Sequence, residues 1–271
     1  MHSVQPSAPT PILLFSPYDP SGAGHLPADA ITCAACGAHA VSVLTALHVQ
    51  DTTGILEIQD LAPEFINEQA RALLEDIRVR AIKVGPLYTL ESVSVLAQIA
   101  ADYSDLPLVL QLAALPDQGR FEDNDPEEVL AAIFELLLPQ TDVIIVEHAM
   151  LEQWHTEGLI SAAPGVPTPQ VLIHHGADWV LTTASPMRPG HSAYVLHGGE
   201  NAVFSWSAGP APVRVAHTDG PLACAVAVNL ARGLPMAQAV ETGIKQTEPM
   251  LASSYQAGMG YRLINRSLSH Q

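Results

Sequence analysis

The chain has 271 residues, of which 48% are apolar and 14% are charged. Its 28 acidic residues outnumber its 11 basic ones, giving a formal net charge of −17. The apolar content excludes a disordered chain, and the negative charge argues against anionic partners such as nucleic acid or acidic membranes. No run of 18 apolar residues occurs and no secretory signal is recognisable at the start, so we expect a cytoplasmic protein without a membrane span.

Short apolar runs alternate with helical runs along most of the chain. The apolar runs are nearly continuous, as expected of strands that are covered on both faces. Such alternation predicts a mainly parallel sheet with right-handed crossover connections. The predicted strands are residues 11–16, 41–47, 80–84, 107–112, 142–147 and 179–183.

The predicted helices have apolar residues at helical spacing or runs of small residues. They are residues 28–37, 64–78, 90–103, 126–138, 221–232 and 236–253. Asp125 is the expected N-cap of the fourth, with Pro126 at its first helical position. Residues 193–197 and 202–206 predict a hairpin across a Gly-rich turn. No repeat or long linker divides the chain, so we expect one domain over residues 11–265, with tails at 1–10 and 266–271.

Cysteine and histidine spacing gives little sign of metal or redox chemistry. Cys33 and Cys36 have CxxC spacing, which is compatible with redox or zinc chemistry and also with helix packing. No second CxxC follows, and the surrounding run of small residues favours packing. The 12 histidines show no HxxxH or HxH spacing, so we expect no histidine metal site.

Chemistry is expected in the loops that follow the strands, because ligands of open parallel sheets bind beyond the carboxyl ends of the strands. The first such loop contains Asp19-Pro20-Ser21-Gly22. These residue types favour a tight turn, and the glycine allows a ligand to approach the backbone closely. Without further context, a structural role for Asp19 in this turn is the simpler interpretation.

The context is a series of motifs in a fixed order. They are residues 19–22, residues 37–52, Lys83-Val84-Gly85, residues 176–181, Gly198-Gly199-Glu200, residues 230–235 and residues 257–260. In this order they resemble the hydroxymethylpyrimidine/phosphomethylpyrimidine kinases of thiamine biosynthesis, which belong to the ribokinase-like superfamily. The resemblance covers nearly the whole chain, and its N-terminal motifs are the more specific. It implies a three-layer α/β/α sandwich with a mainly parallel central sheet.

The resemblance also implies an activity. Such enzymes transfer the γ-phosphoryl group of ATP, with Mg²⁺, to the hydroxymethyl group of an aminopyrimidine and then to its monophosphate. Asp19 and Gln50 match residues that hold the pyrimidine, and Gly85 matches a strand end beside the same pocket. A buried amide or carboxylate suits this role, because an aminopyrimidine edge offers donors and acceptors side by side. An ordinary strand-end amide is the alternative for Gln50.

The catalytic half of the chain departs from the family pattern. A metal-side carboxylate, a glutamate, a lysine and a pocket methionine are replaced, in this order, by Gln111, Met150, Thr183 and Pro86. Glu147 is the nearby carboxylate that could replace a lost metal ligand. The acidic segment 117–128 stands where the family has a basic flap. Lys245 falls within one residue of a family lysine, so some positive charge remains on the ATP side.

The start of the anion-binding helix is also altered. Residues 217–221 read His-Thr-Asp-Gly-Pro, whereas the family has His-Gly-Thr-Gly-Cys. An alignment without gaps puts Gly220 at the position of the family cysteine, and a shifted one leaves Cys224 one residue beyond it. We prefer the first because Pro221 suits the first helical position; Cys224 then packs the helix, and Asp219 is either a replacement base or the N-cap. The candidates for catalysis and phosphate binding are Thr218, Asp219, Gly220, Cys224 and Lys245.

Two functions from different classes therefore remain open. The first is phosphorylation of hydroxymethylpyrimidine or its monophosphate by an altered catalytic loop, with a pyridoxal-type kinase as a weaker variant. The second is a degenerate paralogue that binds a pyrimidine-type molecule without phosphoryl transfer. The resemblance further implies a homodimer whose partners are ATP and a small aminopyrimidine.

Overall fold

The computed structural model describes residues 8–114, 125–163, 165–199, 202–210 and 213–267. Within them, one nine-stranded sheet has the order β3-β2-β1-β4-β5-β6-β7-β8-β9. From β2 across to β7 the neighbouring strands are parallel, while β3, β8 and β9 pair antiparallel with their neighbours. The strands are β1 (Thr10–Tyr18), β2 (Ala38–Gln50), β3 (Ile55–Asp60), β4 (Ile82–Val84), β5 (Leu108–Gln111), β6 (Val143–Glu147), β7 (Trp179–Arg188), β8 (His191–Gly198) and β9 (Val203–Ser207).

Helices cover both faces of this sheet. They are α1 (His25–Ala35), α2 (Pro63–Asp76), α3 (Leu90–Asp102), α4 (Pro126–Ala132), α5 (His148–Glu157), α6 (Thr168–His174), α7 (Asp219–Ala231) and α8 (Met236–Ala252). A π-helical turn, Ile133–Leu137, and a 3₁₀ turn, Leu138–Gln140, continue α4. The side chain of Asp125 accepts a hydrogen bond from Glu127 N and caps α4 as expected. No helix of the described residues is long and apolar enough to cross a bilayer.

Two apolar clusters form the cores between the central sheet and the two helical layers. One packs α2 to α6 against one face of the sheet, with Phe15, Val84 and Ile144 among its strand residues. The other packs α1, α7 and α8 against the opposite face. Because alternate strand residues point to opposite faces, each central strand contributes to both clusters, which accounts for its continuous apolar sequence. The predicted three-layer α/β/α sandwich is confirmed.

Several elements differ from the sequence expectation. The strand predicted to end at residue 47 continues to Gln50, where it pairs with the unpredicted edge strand β3. β3 has only one fully buried residue, Ile58, so it lacks the apolar run by which a central strand is found. The helices α5 and α6 were also not predicted; α5 buries only Leu151 and Trp154. In the predicted hairpin β8 pairs with β9, but Glu200 of its turn lies outside the described residues.

The three cysteines are unpaired and buried. Cys33 of α1 packs with Cys224 of α7 in the cluster between these helices and the sheet, which favours the packing interpretation of the CxxC segment. Beyond residue 265, the guanidinium of Arg266 is buried and donates to Thr32 Oγ1 and Ala23 O. Arg266 is therefore packed against α1 and the loop before it. Most of the acidic segment 117–128 lies outside the described residues.

The strand order reverses beside β1. The chain passes from β1 to β2 on one side and later places β4 on the other side. Loops at such a switch point diverge and leave a crevice at the carboxyl ends of the strands. In this protein the loop after β1, the end of β2 and the start of α7 meet there.

Candidate active site

Asp19 lies in the turn after β1 and has no exposed surface. Its Oδ1 accepts hydrogen bonds from the backbone N and the hydroxyl of Ser21, at 2.8 and 2.6 Å, and its Oδ2 accepts from Gly24 N at 2.9 Å. A carboxylate has about four acceptor positions, so three are used within this loop. Asp19 shapes the loop before α1, whether or not it also contacts a ligand.

Gln50 ends β2 and lines a cavity of about 290 Å³. Ala23 and His217 form part of its wall, and Tyr261 and Leu263 come from the end of the chain. The Oε1 atom of Gln50 lies 3.0 Å from His48 Nδ1. The cavity is therefore bounded by the loop after β1, the end of β2 and the segment before α7.

Three histidine rings pack together behind this cavity. The ring centroid of His25 lies 4.9 Å from that of His48 and 4.7 Å from that of His217. His25 and His217 have φ of +56° and +55°, a region that side chains other than glycine rarely adopt. Such strain persists only where surrounding packing enforces it, and it is common at functional sites.

The histidines of this cluster are held in their neutral form. Burial lowers the pKa of His25 well below its usual value, and the nearby His217, His48 and Lys83 add to this effect. Burial also lowers the pKa of His48 and of His217, although Asp19 opposes it at both. Among the described residues, Nε2 of His25 and Nε2 of His48 have no hydrogen-bond partner. The cluster thus holds two unpaired, buried polar atoms beside a cavity.

Gly85 follows β4 and lies over a buried ion pair. Its amide donates to Phe15 O at 2.7 Å, and a Cβ at this position would lie 2.5 Å from Ser16 Oγ and 3.4 Å from Lys83 Nζ. Lys83 Nζ contacts Asp29 Oδ2 at 2.6 Å, and both side chains are almost fully buried. Burial lowers the pKa of Lys83, but the charge and hydrogen bond of Asp29, together with Cys224 and Cys33, raise it above the usual value. The absence of a side chain at Gly85 therefore leaves room for the Ser16 hydroxyl.

The helix α7 begins at Asp219, so Pro221 occupies its third position rather than the first. Thr218 is the N-cap and its side chain makes no capping bond. Asp219 is therefore not the N-cap, which corrects one of the two interpretations above. The Oδ1 atom of Asp219 instead accepts a hydrogen bond of 2.8 Å from Thr183 Oγ1 at the end of the sheet.

The surroundings of Asp219 raise the pKa of its carboxyl group. Burial raises the pKa of its carboxyl group to about 6; the Thr183 hydroxyl opposes the shift, and the charge of Glu147 adds to it. A carboxyl group with this pKa is ionised at neutral pH but still basic enough to accept a proton. Sequence reasoning treated Thr183 only as a lost lysine, whereas the structure shows it as the partner of Asp219.

A larger cavity of about 690 Å³ opens on this side of α7. Its wall includes Glu147, Thr218, Asp219 and Lys245. Lys245 Nζ also pairs with Glu241 Oε1 at 2.6 Å, one helical turn away, and both side chains are well exposed. The structure thus brings together four of the residues proposed from the sequence for the phosphate and metal side. In the segment 215–218, Ala216 and His217 line the smaller cavity, and Val215 and Thr218 line the larger one.

The remaining candidates lie in or under the first turns of α7. Gly220 is buried, and a Cβ there would lie 3.6 Å from Asp29 Oδ1 and 3.8 Å from the Gln111 amide. Cys224 has no exposed surface and is hydrogen-bonded to Cys33, and burial raises its pKa well above the usual value. This geometry favours the packing role for Cys224. Met150, at the position of a family glutamate, packs against the apolar core.

The fold and these two cavities define a class of protein. An open parallel sheet with a crevice at its switch point, and a helix N-terminus at that crevice, is an architecture that ribokinase-like phosphotransferases share with other nucleotide-binding α/β proteins. The family model described as phosphomethylpyrimidine kinase matches residues 19–265. The chain belongs to the phosphomethylpyrimidine kinase family, as the resemblance predicted.

Relatives are similar over most of the chain. A hydroxymethylpyrimidine/phosphomethylpyrimidine kinase of Rhizobium meliloti is 26% identical over 226 residues, which are 82% of this chain and 83% of the relative. The Mycobacterium leprae kinase of the same name is 25% identical over 263 residues, 94% and 93% of the two chains. A chloroplastic bifunctional thiamine biosynthetic enzyme of Arabidopsis thaliana is 28% identical over 227 residues, and this chain spans 42% of its length.

Solved structures share the fold. The ADP complex of Bacillus subtilis pyridoxal kinase has a TM-score of 0.82 at 18% identity, covering 95% of this chain and 97% of that one. The phosphomethylpyrimidine kinase of Clostridium difficile has a TM-score of 0.69 at 24% identity, covering 87% and 96%. At these identities the likeness shows the ribokinase-like fold alone.

Proposed function

We propose that the protein transfers the γ-phosphoryl group of ATP to the hydroxymethyl group of an aminopyrimidine, and also to its monophosphate. The observation that carries this proposal is the carboxyl group of Asp219. It lies at the first residue of α7, is hydrogen-bonded to Thr183, has a pKa of about 6 and lines the larger cavity. Relatives named for this activity align over most of the chain and support the choice of substrate.

In this proposal Asp219 is the base that accepts the proton of the substrate hydroxyl. A base is most effective when its pKa lies near the working pH, and it typically contributes about 10²–10⁴-fold to the rate. The backbone N–H groups of Thr218 and Asp219, at the positive end of α7, would stabilise the transferring phosphoryl group, whereas the N–H of Gly220 already donates to His217 O. In the alignment without gaps, Asp219 stands beside the family's cysteine position, which Gly220 then occupies.

The larger cavity is the proposed site of Mg-ATP. Mg²⁺ is usually held by one or two carboxylates together with nucleotide phosphates and water. The described residues contain no group of three metal-binding side chains suited to one ion. Glu147, with one carboxylate at the wall, fits a metal that the phosphates largely hold, and Lys245 would contribute positive charge to them. Bound Mg²⁺ would neutralise phosphate charge near Asp219 and Glu147.

The smaller cavity is the proposed site of the pyrimidine. Gln50 lines it directly, Asp19 shapes the adjoining loop, and Gly85 lies beside the same switch point. The segment 215–218 borders both cavities. In-line transfer requires the hydroxymethyl group of a ring bound here to reach past this segment to Asp219 and the phosphate.

The alternative function is binding without phosphoryl transfer. It is favoured by one observation: of the residues described at the wall of the larger cavity, Lys245 is the sole lysine or arginine, and Glu241 already pairs with it. A pyridoxal-type substrate has the support of fold likeness alone. We further propose, by analogy with such kinases, that the protein is cytoplasmic and forms a homodimer. Light scattering after size exclusion tests the dimer.

The decisive experiment is mass-detected phosphorylation of hydroxymethylpyrimidine by the purified protein with Mg-ATP. Asp219→Asn is the test variant and Asp76→Asn, an exposed carboxylate on α2, is the matched control. We expect product from the native protein and from Asp76→Asn, and a loss of about 10²–10⁴-fold in Asp219→Asn. No product at enzyme concentrations that would reveal a 10⁴-fold impaired catalyst contradicts the kinase proposal and leaves the binding function.

A further inference from the structure

The C-terminal segment, residues 255–266, forms one side of the smaller cavity, with Tyr261 and Leu263 in the wall. It is held against the turn that follows β2. The amide of Tyr261 donates to Thr52 O at 2.6 Å, and the amide of Gly260 donates to Thr52 Oγ1 at 3.1 Å. A Cβ on Gly260 would overlap Thr52 O, so only glycine allows the two backbones to come this close.

The same segment ends at Arg266, whose guanidinium is buried against the loop after β1. Its Nη2 donates to Ala23 O at 3.0 Å, its Nε to Thr32 Oγ1 at 3.2 Å and its Nη1 to Ile264 O at 3.3 Å. Among the described residues, Lys83 and Arg266 are the buried lysine and arginine side chains. Burying a guanidinium costs solvation free energy, which these three hydrogen bonds offset in part.

Arg266 fixes the backbone of the cavity wall. Ala23 O and Gly24 N belong to one planar trans peptide unit, whose carbonyl and N–H point in opposite directions. The carbonyl accepts from Arg266, and the N–H donates to Asp19 Oδ2 at 2.9 Å, so the peptide is held from both sides. A guanidinium only donates and a carbonyl only accepts, so the roles in this bond are unambiguous. Because Ala23 lines the smaller cavity, the place of this wall depends on Arg266.

We propose that Arg266 is a positioning residue of the smaller cavity, where it holds the Ala23–Gly24 peptide in the place that a flat ring substrate requires. The C-terminal segment is then part of the substrate site, although the guanidinium acts from behind the wall. The inference rests on the proposed function, because the ring it concerns is the aminopyrimidine. A displacement of about 1 Å in a group that orients a substrate can cost about 10²-fold in efficiency.

The test is calorimetric titration of the purified protein with hydroxymethylpyrimidine in the absence of nucleotide. Arg266→Met is the test variant, because it removes the three donors and keeps an unbranched apolar chain. Arg262→Met is the matched control, since Arg262 lies in the same segment but its guanidinium donates to Ser254. Titrations are run below the unfolding temperature of every variant. Calorimetry then separates the two roles, because unfolded molecules reduce the number of sites per chain and leave the Kd of the folded ones unchanged.

We expect Arg266→Met to raise the Kd for the pyrimidine by about tenfold or more, with an unchanged number of sites. Its Kd for a non-hydrolysable Mg-ATP analogue should stay within about twofold, since Ala23 is not part of the described wall of the larger cavity. Arg262→Met should keep both native values. A native Kd for the pyrimidine in Arg266→Met overturns the inference, as does an equal rise in Arg262→Met. Equal weakening of both ligands also overturns it, because a general loss of structure has that effect.

Arg266→Lys is the conservative variant and supports the test if Arg266→Met does not fold. Lysine keeps the charge and a donor for Ala23 O but lacks the planar fork, so its Kd should lie between the native value and that of Arg266→Met. A Kd in Arg266→Lys equal to the native value in a protein whose Ala23–Gly24 peptide exchanges its amide hydrogen faster would contradict the positioning role.

The outcomes for the two proposals differ. Native affinity for the pyrimidine in both Arg266 variants, together with turnover by the native protein, overturns this inference alone. The expected loss of affinity in Arg266→Met, without phosphorylation by the native protein, overturns the proposed kinase function alone. If the native protein binds no pyrimidine, both are overturned.

Discussion

Thr183 Oγ1 donates a hydrogen bond of 2.8 Å to Asp219 Oδ1 and so joins the end of the parallel sheet to the start of α7. Both residues depart from the family pattern, in which a lysine and a glycine-rich anion loop occupy these places. The two departures are partners in the structure, since a hydroxyl at position 183 provides a donor for the partly buried carboxylate of Asp219. This pairing supports a rebuilt catalytic loop rather than unrelated losses.

Replacing Thr183 by Val should move the acid limb of the pH–rate profile. Burial and Glu147 raise the pKa of Asp219 to about 6 and the Thr183 hydroxyl lowers it, so loss of the hydroxyl should raise it further. If Asp219 acts as base, kcat/KM should fall as the pH drops through about 6 in the native protein. We expect the midpoint about one unit higher in Thr183→Val. Thr183→Ser keeps the donor and should retain the native profile; a midpoint unaffected by Thr183→Val contradicts this role.

Asp219→Asn should stabilise the protein while it impairs turnover. The folded-state pKa of Asp219 is raised, so the ionised carboxyl group opposes folding, increasingly as the pH rises from about 4 to above 6. An amide removes that cost and can still accept from Thr183 through its oxygen. Urea unfolding at pH 7.5 should show a gain of about 1–2 kcal/mol, which should vanish at about pH 4. A loss of stability at pH 7.5 would mean that the carboxylate is held for structural reasons.

Much of the fold could be predicted because the central strands are covered on both faces and carry continuous apolar runs. The edge strand β3 could not, since a strand with one fully buried residue has no such run. The end of β2 was placed too early for the same reason, because its last residues alternate between the cavity and the surface.

The sequence predicted which loops form the candidate site, but it did not predict which side chains contact each other there. The topological rule pointed to the loop after β1, the end of β2 and the start of α7, and these supply His25, His48 and His217. Each histidine is far from the others in sequence, so no spacing rule could find the cluster. The sequence carried one signal for two of these residues. His25 directly follows Gly24 and His217 directly precedes Thr218-Asp219-Gly220, and both histidines have positive φ angles in the structure.

Gly24→Ala should destabilise the protein by displacing His217. The backbone of Gly24, with φ of −144°, suits any residue, but a Cβ there would lie 2.5 Å from His217 Cγ. We expect a loss of about 1–3 kcal/mol in the free energy of unfolding. Gly199→Ala is the matched control, because a Cβ there meets nothing within 4 Å. Adding His217→Ala to Gly24→Ala should recover part of the loss; no recovery would place the clash elsewhere.

Removing one partner of the buried ion pair between Lys83 and Asp29 should lower the free energy of unfolding more than replacing both partners with apolar residues. Lys83→Met alone leaves the buried Asp29 carboxylate unpaired, which should cost about 3–5 kcal/mol, whereas Lys83→Met with Asp29→Leu should cost clearly less. Lys245→Met removes the chain's other lysine, whose exposed pair with Glu241 should contribute little. Denaturant unfolding at neutral pH measures all three. Equal losses for the single and double changes would contradict a paired role for Lys83.

The histidine cluster should make the protein acid-sensitive in a defined pH range. Burial, with smaller contributions from His217, His48 and Lys83, lowers the pKa of His25, and burial does the same at His48 and His217, so the folded state binds fewer protons than the unfolded chain. The stability from these neutral rings is complete above the unfolded pKa of about 6.5 and is lost as the pH falls below it. Each ring contributes a slope of up to about 1.4 kcal/mol per pH unit.

His25→Gly tests this directly, since glycine also accepts the positive φ of that position at no steric cost. Its unfolding free energy should depend less steeply on pH than that of the native protein, by about one proton between roughly pH 5 and 6.5. The raised pKa of Asp219 gives the opposite slope in part of this range, so both proteins are compared in the Asp219→Asn background. His191→Gly, on an exposed strand end, is the matched control and should keep the native slope. Parallel pH curves for His25→Gly and its parent would show that His25 binds the same number of protons in the folded and unfolded states, which contradicts its lowered pKa.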